Sequence, residues 1–230
     1  MFTQTMITRN SSQRPAVRSA RPAPTNIISL GSSIEMMGAL IPFARDAEIY
    51  GESEPADYLY KVASGAVRTY KVLNDGRRQI SSFYQPGDIF GLEIGGEHTS
   101  SAEAVADSKI QVISRSAVVA LAGRDKEVAR QLWRMTATEL QRAQDHFMLL
   151  VKTAQERVAG FLLEMAARTP GASEVVLPMS RQDIADYLGL TIETVSRAMK
   201  QLENLGAIAV ATSRRRINLR SRVALNRMNA

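Results

Sequence analysis

Eight residues near the middle of this chain follow one another at spacings of 4, 3, 4, 3, 4, 3 and 4: Ala129, Trp133, Thr136, Leu140, Ala143, Phe147, Leu150 and Ala154. Such a heptad rhythm draws one stripe along a long helix and buries it against a partner helix. Val128, Leu132 and Met135 mark a second apolar face beside the first. Two faces predict two neighbours, the chain's own N-terminal part and a second copy of the chain. Trp133, Thr136, Leu140, Ala143, Phe147 and Leu150 are the expected contacts of that homodimer.

Upstream of the stripe the period is different. From Ile41 to Ser114 short runs alternate apolar and polar residues, as in "YLYKVASGAVRTYKV", "RQISSFY" and "KIQVIS". Gly51, Gly65, Asp75-Gly76, Pro86-Gly87-Asp88 and Gly95-Gly96 punctuate them. Short strands at that turn spacing predict an antiparallel sandwich or roll, with Asp75-Gly76 as a hairpin turn. Ser116 is the expected start of a short helix, "SAVVALAG", closed by Gly123. Residues 1–28, rich in Ser, Arg, Pro, Thr and Asn, read as a disordered tail.

Downstream, Thr153-Ala-Gln-Glu156 is a capping box set in the middle of helical text. Its two side chains satisfy backbone N–H groups that a continuous helix would not leave free, so a new helix is expected to begin there. The organisation predicted is a tail over 1–28, a roll over 29–124, a dimerisation helix and hinge over 125–152, and a second domain over 153–230. Val158, Phe161, Leu162 and Met165 give that domain's first helix an apolar face, and Thr169-Pro170-Gly171 is expected to end it.

Composition excludes several functions. The chain has no cysteine, which removes disulfides, thiolate metal sites and cysteine-held clusters. No apolar run is long enough to span a membrane and no secretory h-region is present, so a cytoplasmic protein with no membrane contact is expected. The net charge of +6 is unevenly placed. Residues 35–124 carry nine basic and twelve acidic side chains, whereas residues 153–230 carry eleven basic and seven acidic. A basic C-terminal third suits a nucleic-acid-binding part.

The residues of that third specify how. Ser180 is placed to cap a short helix that Gly189 closes; after Leu190, Thr191 is placed to cap the next. Two short helices joined by a glycine turn make a helix-turn-helix. Ala185 is small where the helices cross, and Val195, Met199, Leu202 and Leu205 lie on the apolar side of the second. Glu193, Ser196 and Arg197 then stand on its exposed front, the part that enters the major groove. Arginine matches the O6 and N7 acceptors of guanine, and glutamate can accept from a cytosine amino group. Serine allows close approach. Thr191 and Thr194 are expected on the DNA backbone. Ala207–Leu219 reads as a hairpin whose tip carries Arg214, Arg215 and Arg216, a basic wing for phosphates.

This order of parts resembles the CRP/FNR family of bacterial transcription regulators over roughly residues 35–225. The most specific words are "QPGDIFGLE" and "RQDIADYLGLTIETVSRAMKQLENLGAI". Glu193-x-x-Ser196-Arg197 matches the E-x-x-S-R pattern of the FNR branch, and within it the FixK class is most similar. The resemblance implies an α+β protein: an antiparallel β-roll like a cyclic-nucleotide-binding jelly roll, a long dimerisation helix and a winged helix-turn-helix. It also implies a homodimer on double-stranded DNA, reading an inverted repeat with TTGAT-type half-sites. The expected role is activation of microaerobic and nitrogen-fixation genes, with RNA polymerase as a partner.

Departures from the family pattern bear on ligands. Cyclic-AMP-binding members carry Glu after the roll glycine and an Arg-Ser pair beyond; here Leu92 follows Gly91, and the later pair reads Ser100-Ser101. No cluster-binding cysteine exists. His98 reads as a solvated loop residue and His146 as a surface or interface residue, so no haem or metal ligand set is expected. A regulator working without cofactor or small-molecule effector follows, the alternative being one gated by an unrecognised ligand in the roll. An enzyme is not expected, because no paired catalytic carboxylates, nucleophile elbow or phosphate loop is present.

Overall fold

The computed structural model describes residues 38–168, 173–211 and 215–229. The alternating segment folds into β1 (Ala39–Phe43), β2 (Glu48–Tyr50), β3 (Tyr58–Ser64), β4 (Val67–Val72), β5 (Arg78–Tyr84), β6 (Ile89–Phe90), β7 (Ser101–Ala104) and β8 (Ser108–Ser114). They form two four-stranded antiparallel sheets, in the orders β1-β8-β3-β6 and β2-β7-β4-β5. Register follows the apolar side chains, with Ile110 opposite both Ile41 and Val62. Between the sheets lies a core that includes Tyr50, Tyr60, Val62, Val67, Phe90 and Ile110. Gly65 turns the chain from β3 into β4 at φ 86°, where a Cβ would come within 2.2 Å of Ser108 Oγ. Asp75-Gly76 sits in the β4–β5 hairpin, as expected.

Two helices follow, α1 (Arg115–Ala122) and α2 (Lys126–Leu150). The N-cap of α1 is Ser114, two residues earlier than the sequence suggested. Ser114 is still extended at the end of β8, so its hydroxyl can reach the Ala117 N–H, while the Ser116 hydroxyl turns to Ser114. Asp125 caps α2. The bend after α2 is where the capping box put it: Thr153 is the N-cap of α3 (Ala154–Ala167), and the box closes from both sides. Val158, Phe161, Leu162 and Met165 are buried. The Thr169-Pro170-Gly171 stop lies outside the described residues; α3 ends at Ala167, with Arg168 as its cap.

The C-terminal part continues with β9 (Glu174–Val176), α4 (Arg181–Leu188), α5 (Ile192–Asn204), β10 (Ile208–Val210), β11 (Arg216–Leu219) and α6 (Arg222–Asn229). The hairpin β10–β11 is present, and β9 adds to it as a third strand on the far side of β11. The roll and this part share one apolar cluster. Ile80 and Phe83 of β5 belong to it with Phe161 and Tyr187, and the Phe83 and Tyr187 ring centroids are 5.2 Å apart.

Two expectations are corrected. His98 is not solvated: only 2% of it is exposed, and its ring stacks on Tyr50 at 3.5 Å between centroids, with Nδ1 3.4 Å from Glu93 Oε1. Leu205 does not join the apolar side of α5. It caps the helix where the chain turns away at Gly206 and is 60% exposed.

Candidate nucleic-acid interface

The helix-turn-helix is built from three polar devices and one glycine. Ser180 starts α4 with a second capping box: its hydroxyl accepts from the Asp183 N–H, and Asp183 Oδ2 accepts from the Ser180 N–H at 2.9 Å. Gly189 ends the helix in the left-handed region at φ 62°, which any residue with a Cβ adopts at a cost. The Leu190 N–H then donates back to the Ala185 carbonyl at 3.0 Å. Thr191 caps α5 by accepting from the Thr194 N–H. Ala185 is fully buried at the crossing of α4 and α5, and Val195, Met199 and Leu202 are buried on the inner side of α5.

The outer side of α5 carries the predicted trio. Glu193, Ser196 and Arg197 are all exposed. Arg197 Nη2 donates to Thr194 Oγ1 at 3.3 Å, and that hydroxyl is 3.1 Å from Thr191 Oγ1. The chain of hydroxyls holds the guanidinium beside the helix start and leaves its other donors outward. Glu193 sits below the usual carboxylate range because its own N–H and the Thr191 hydroxyl bond to it, with the Arg197 charge adding to this. Lys200 is exposed one turn beyond Arg197, with Nζ 2.9 Å from Glu203 Oε2. The sequence reading passed over it, although its spacing of seven from Glu193 puts it on the same face. In the wing, Arg215 and Arg216 are exposed, and Arg216 Nη1 lies 3.4 Å from Glu174 Oε2 on β9. Arg214 lies outside the described residues.

On α2 the two stripes separate cleanly. Val128, Leu132 and Met135 pack with Leu59, Ile113 and Val118 of the roll and α1. The same inner stripe then turns polar. Glu139 accepts from the Tyr84 hydroxyl at 2.6 Å, Arg142 pairs with Asp88, and the His146 ring stands edge-on to Tyr187 at 4.0 Å. Burial holds the His146 imidazole below its ordinary pKa. The outer stripe is largely exposed: Trp133 is 75% exposed, Leu140 60% and Phe147 66%. Thr136 and Ala143 are exposed too, and Leu150 is half-buried.

A cleft of about 630 Å³ runs between the roll and α2. Its walls include Thr69, Ser82, Tyr84, Ser100, Glu93 and Glu139, and Leu140 and Phe147 of the outer stripe line it too. Among the described residues two carboxylates and no lysine or arginine line it, so these residues do not fit a cyclic phosphate. No helix among the described residues is long and apolar enough to cross a membrane.

Known proteins match this arrangement. Residues 156–228 fit the family model of the Crp-like helix-turn-helix domain, and residues 40–125 that of the cyclic nucleotide-binding domain. The nitrogen fixation regulation protein FixK of Azorhizobium caulinodans is 49% identical over 94% of this chain and 86% of its own length. The protein of the same name from Rhizobium meliloti is 38% identical over 86% of this chain and 92% of its own. The solved structure of FixK2 from Bradyrhizobium japonicum superposes with a TM-score of 0.80, at 52% identity, over 84% of this chain and 98% of that one. These relatives are transcription regulators rather than enzymes. An antiparallel roll, a long helix and a capped helix-turn-helix, matched over nearly the whole chain, place it in the CRP/FNR family as a FixK-like, DNA-binding transcription regulator.

Proposed function

We propose that the chain works as a homodimer that activates genes of the microaerobic and nitrogen-fixation kind in the cytoplasm. It reads an inverted repeat with TTGAT-type half-sites and recruits RNA polymerase. The observation that carries this reading is the exposure of Glu193, Ser196 and Arg197 together at the capped front of α5. Arg197 is the guanine reader, Glu193 the cytosine reader or the brace of Arg197, and Ser196 the point of closest approach. Thr191, Thr194 and the wing arginines 214, 215 and 216 hold phosphates. Two copies pair through the outer stripe of α2, and the bend at residues 151–153 is the hinge between the dimerisation helix and the DNA-binding domain at 153–230. Two recognition helices then enter successive major grooves about 34–36 Å apart.

Activity without an effector is supported by the cleft's chemistry, because it offers carboxylates where a nucleotide phosphate requires cations. The test is selection of bound duplexes from a random pool with purified protein and no added ligand. Enrichment of a TTGAT-type inverted repeat of fixed spacing is the expected result; single sites, or no enrichment, would refute it. The size of the cleft favours a second reading, a neutral or cationic ligand that gates binding. Titrating nucleotides, haem and metal ions against the selected duplex separates the two, and a large gain in affinity from any of them selects the second.

A further inference from the structure

Two arginines of the roll converge on one carboxylate of the DNA-binding part. Arg68 of β4 donates from Nη1 to Asp183 Oδ1 at 3.0 Å, and Arg78 of β5 donates from Nη2 to the same oxygen at 2.6 Å. Arg78 Nε also donates to Asp186 Oδ2 at 2.9 Å. Asp183 is 3% exposed and Arg68 7%. The other face of Arg68 is satisfied by Glu103, which accepts from Nε and Nη2 at 3.1 and 2.8 Å. Asp183 spends its second oxygen, Oδ2, on the capping box of α4. One carboxylate therefore both starts the first helix of the helix-turn-helix and ties that helix to the roll.

A second set of ion pairs has the roles reversed. There the roll supplies the carboxylate, Asp88, and it receives Arg142 from α2 and Arg168 from the end of α3. Arg168 also donates to the Phe83 carbonyl at 3.2 Å. Buried ion pairs are a weak source of stability, since apolar side chains of like volume do as well or better. What they supply is direction, because hydrogen-bonded partners at fixed angles admit one docking geometry where an apolar contact admits several. α5 packs on α4, and the Leu190 N–H in the turn between them donates to the Ala185 carbonyl, so whatever fixes α4 on the roll also fixes where the outer face of α5 points.

We infer that Arg68 and Arg78, with Asp183 and Asp186, form a positioning joint that sets the direction of α5 relative to the roll. The joint holds both recognition helices of a dimer in register with a two-half-site duplex. It deepens the functional reading above and rests on it: α5 reads DNA, and two copies pair through α2. The joint orders the two parts through protein groups alone.

The test uses the full chain and the least buried member of the joint. Arg78→Leu removes two ionic contacts; Arg78→Lys keeps a cation in place; Arg124→Leu makes the same change in net charge at an exposed site after α1. Because the chain has no cysteine of its own, spin labels can be placed at Lys109→Cys on β8 and Asn226→Cys on α6, both exposed. The labelled chain is diluted into unlabelled chain so that only distances within one copy are read. A narrow distance distribution is expected in the parent, the Arg78→Lys and the Arg124→Leu proteins, and a broad or displaced one in Arg78→Leu. On DNA, Arg78→Leu is expected to lose tenfold or more in affinity for a duplex with a TTGAT-type inverted repeat, and less than threefold for a single half-site. An unchanged distribution in Arg78→Leu overturns the joint, as does an equal loss on both duplexes, which marks damage to the DNA-binding part itself. If the parent protein binds neither duplex, the DNA reading of α5 fails, and the distance distributions still decide whether the joint orients α5.

Discussion

A guanidinium reads guanine with two parallel donors, so what matters at Arg197 is where the side chain is held before DNA arrives. Thr194 Oγ1 accepts one N–H, at 3.3 Å, and the rest of the fork stays exposed. That restraint lowers the rotamer entropy still to be lost on binding. Arg197→Ala is therefore expected to cost about 1–3 kcal/mol on the preferred duplex and to blur selectivity at one base pair of each half-site. Competition against duplexes changed at each position in turn measures this, and a loss spread evenly over all positions would show that Arg197 touches only phosphate. Arg215 makes the contrasting case. An exposed wing arginine adds charge without reading bases, so Arg215→Ala should weaken all sequences alike. It should also reduce the slope of log K against log salt by about 0.9 per half-site. A change in sequence preference in that variant would reassign the wing.

At the scale of the element, the proposed dimer rests on the outer stripe of α2. Leu140 and Phe147 contribute nothing to the single chain's core, being 60% and 66% exposed. The double variant Leu140→Glu, Phe147→Glu is thus expected to fold with stability within about 0.5 kcal/mol per site of the parent's monomer. It should sediment at half the mass and lose the two-half-site duplex. A variant that remains dimeric would remove the outer stripe from the interface. The elements legible in the sequence were those with a strong local signal. The two stripes of α2, the capping box at Thr153, the N-caps at Ser180 and Thr191, and the helix-ending Gly189 are each marked by residues close together in the sequence. What escaped has no such signal. α6 is eight residues long with Leu225 as its one buried residue, too little stripe to mark a helix. β9 is three residues whose strand character comes from pairing with β11, about forty positions on. His98 looked like a solvated loop residue because Tyr50, the ring it stacks on, lies far from it in the sequence. The joint at Asp183 escaped for the same reason, since its arginines stand 105 and 115 residues away.

In the whole molecule, the roll, the long helix and the DNA-binding part meet at His146. Its ring is half-buried, edge-on to Tyr187 of α4, and it lines the cleft beside Ser81 of β5. Burial lowers its pKa, outweighing the backbone of Tyr187 and Ser81, which favours the charged form. The unfolded chain, with a histidine pKa of about 6.5, therefore binds a proton at pH values where the folded chain does not. Stability contributed by neutral His146 is fully present above the unfolded value, is lost as pH falls through it, and stays lost below the depressed folded value. Glu164, at the same meeting point, acts in the opposite sense. Burial raises its pKa against the pull of Arg168, so the folded chain takes up that proton first and gains stability as pH falls towards the carboxylate range. The two effects have opposite signs, so a variant of each group tells them apart. Urea unfolding at pH 8, 6.5, 5.5 and 4.5, on the parent and on His146→Gln, should show the parent losing stability across the upper part of that range. The glutamine variant, which has nothing to protonate there, should lose less. Parallel curves for the two proteins would mean that His146 is solvated in solution and that the three parts do not close around it. Glu164 is present in both proteins and acts on both curves alike, so Glu164→Gln, measured beside them, is expected to remove the opposing gain in stability as pH falls.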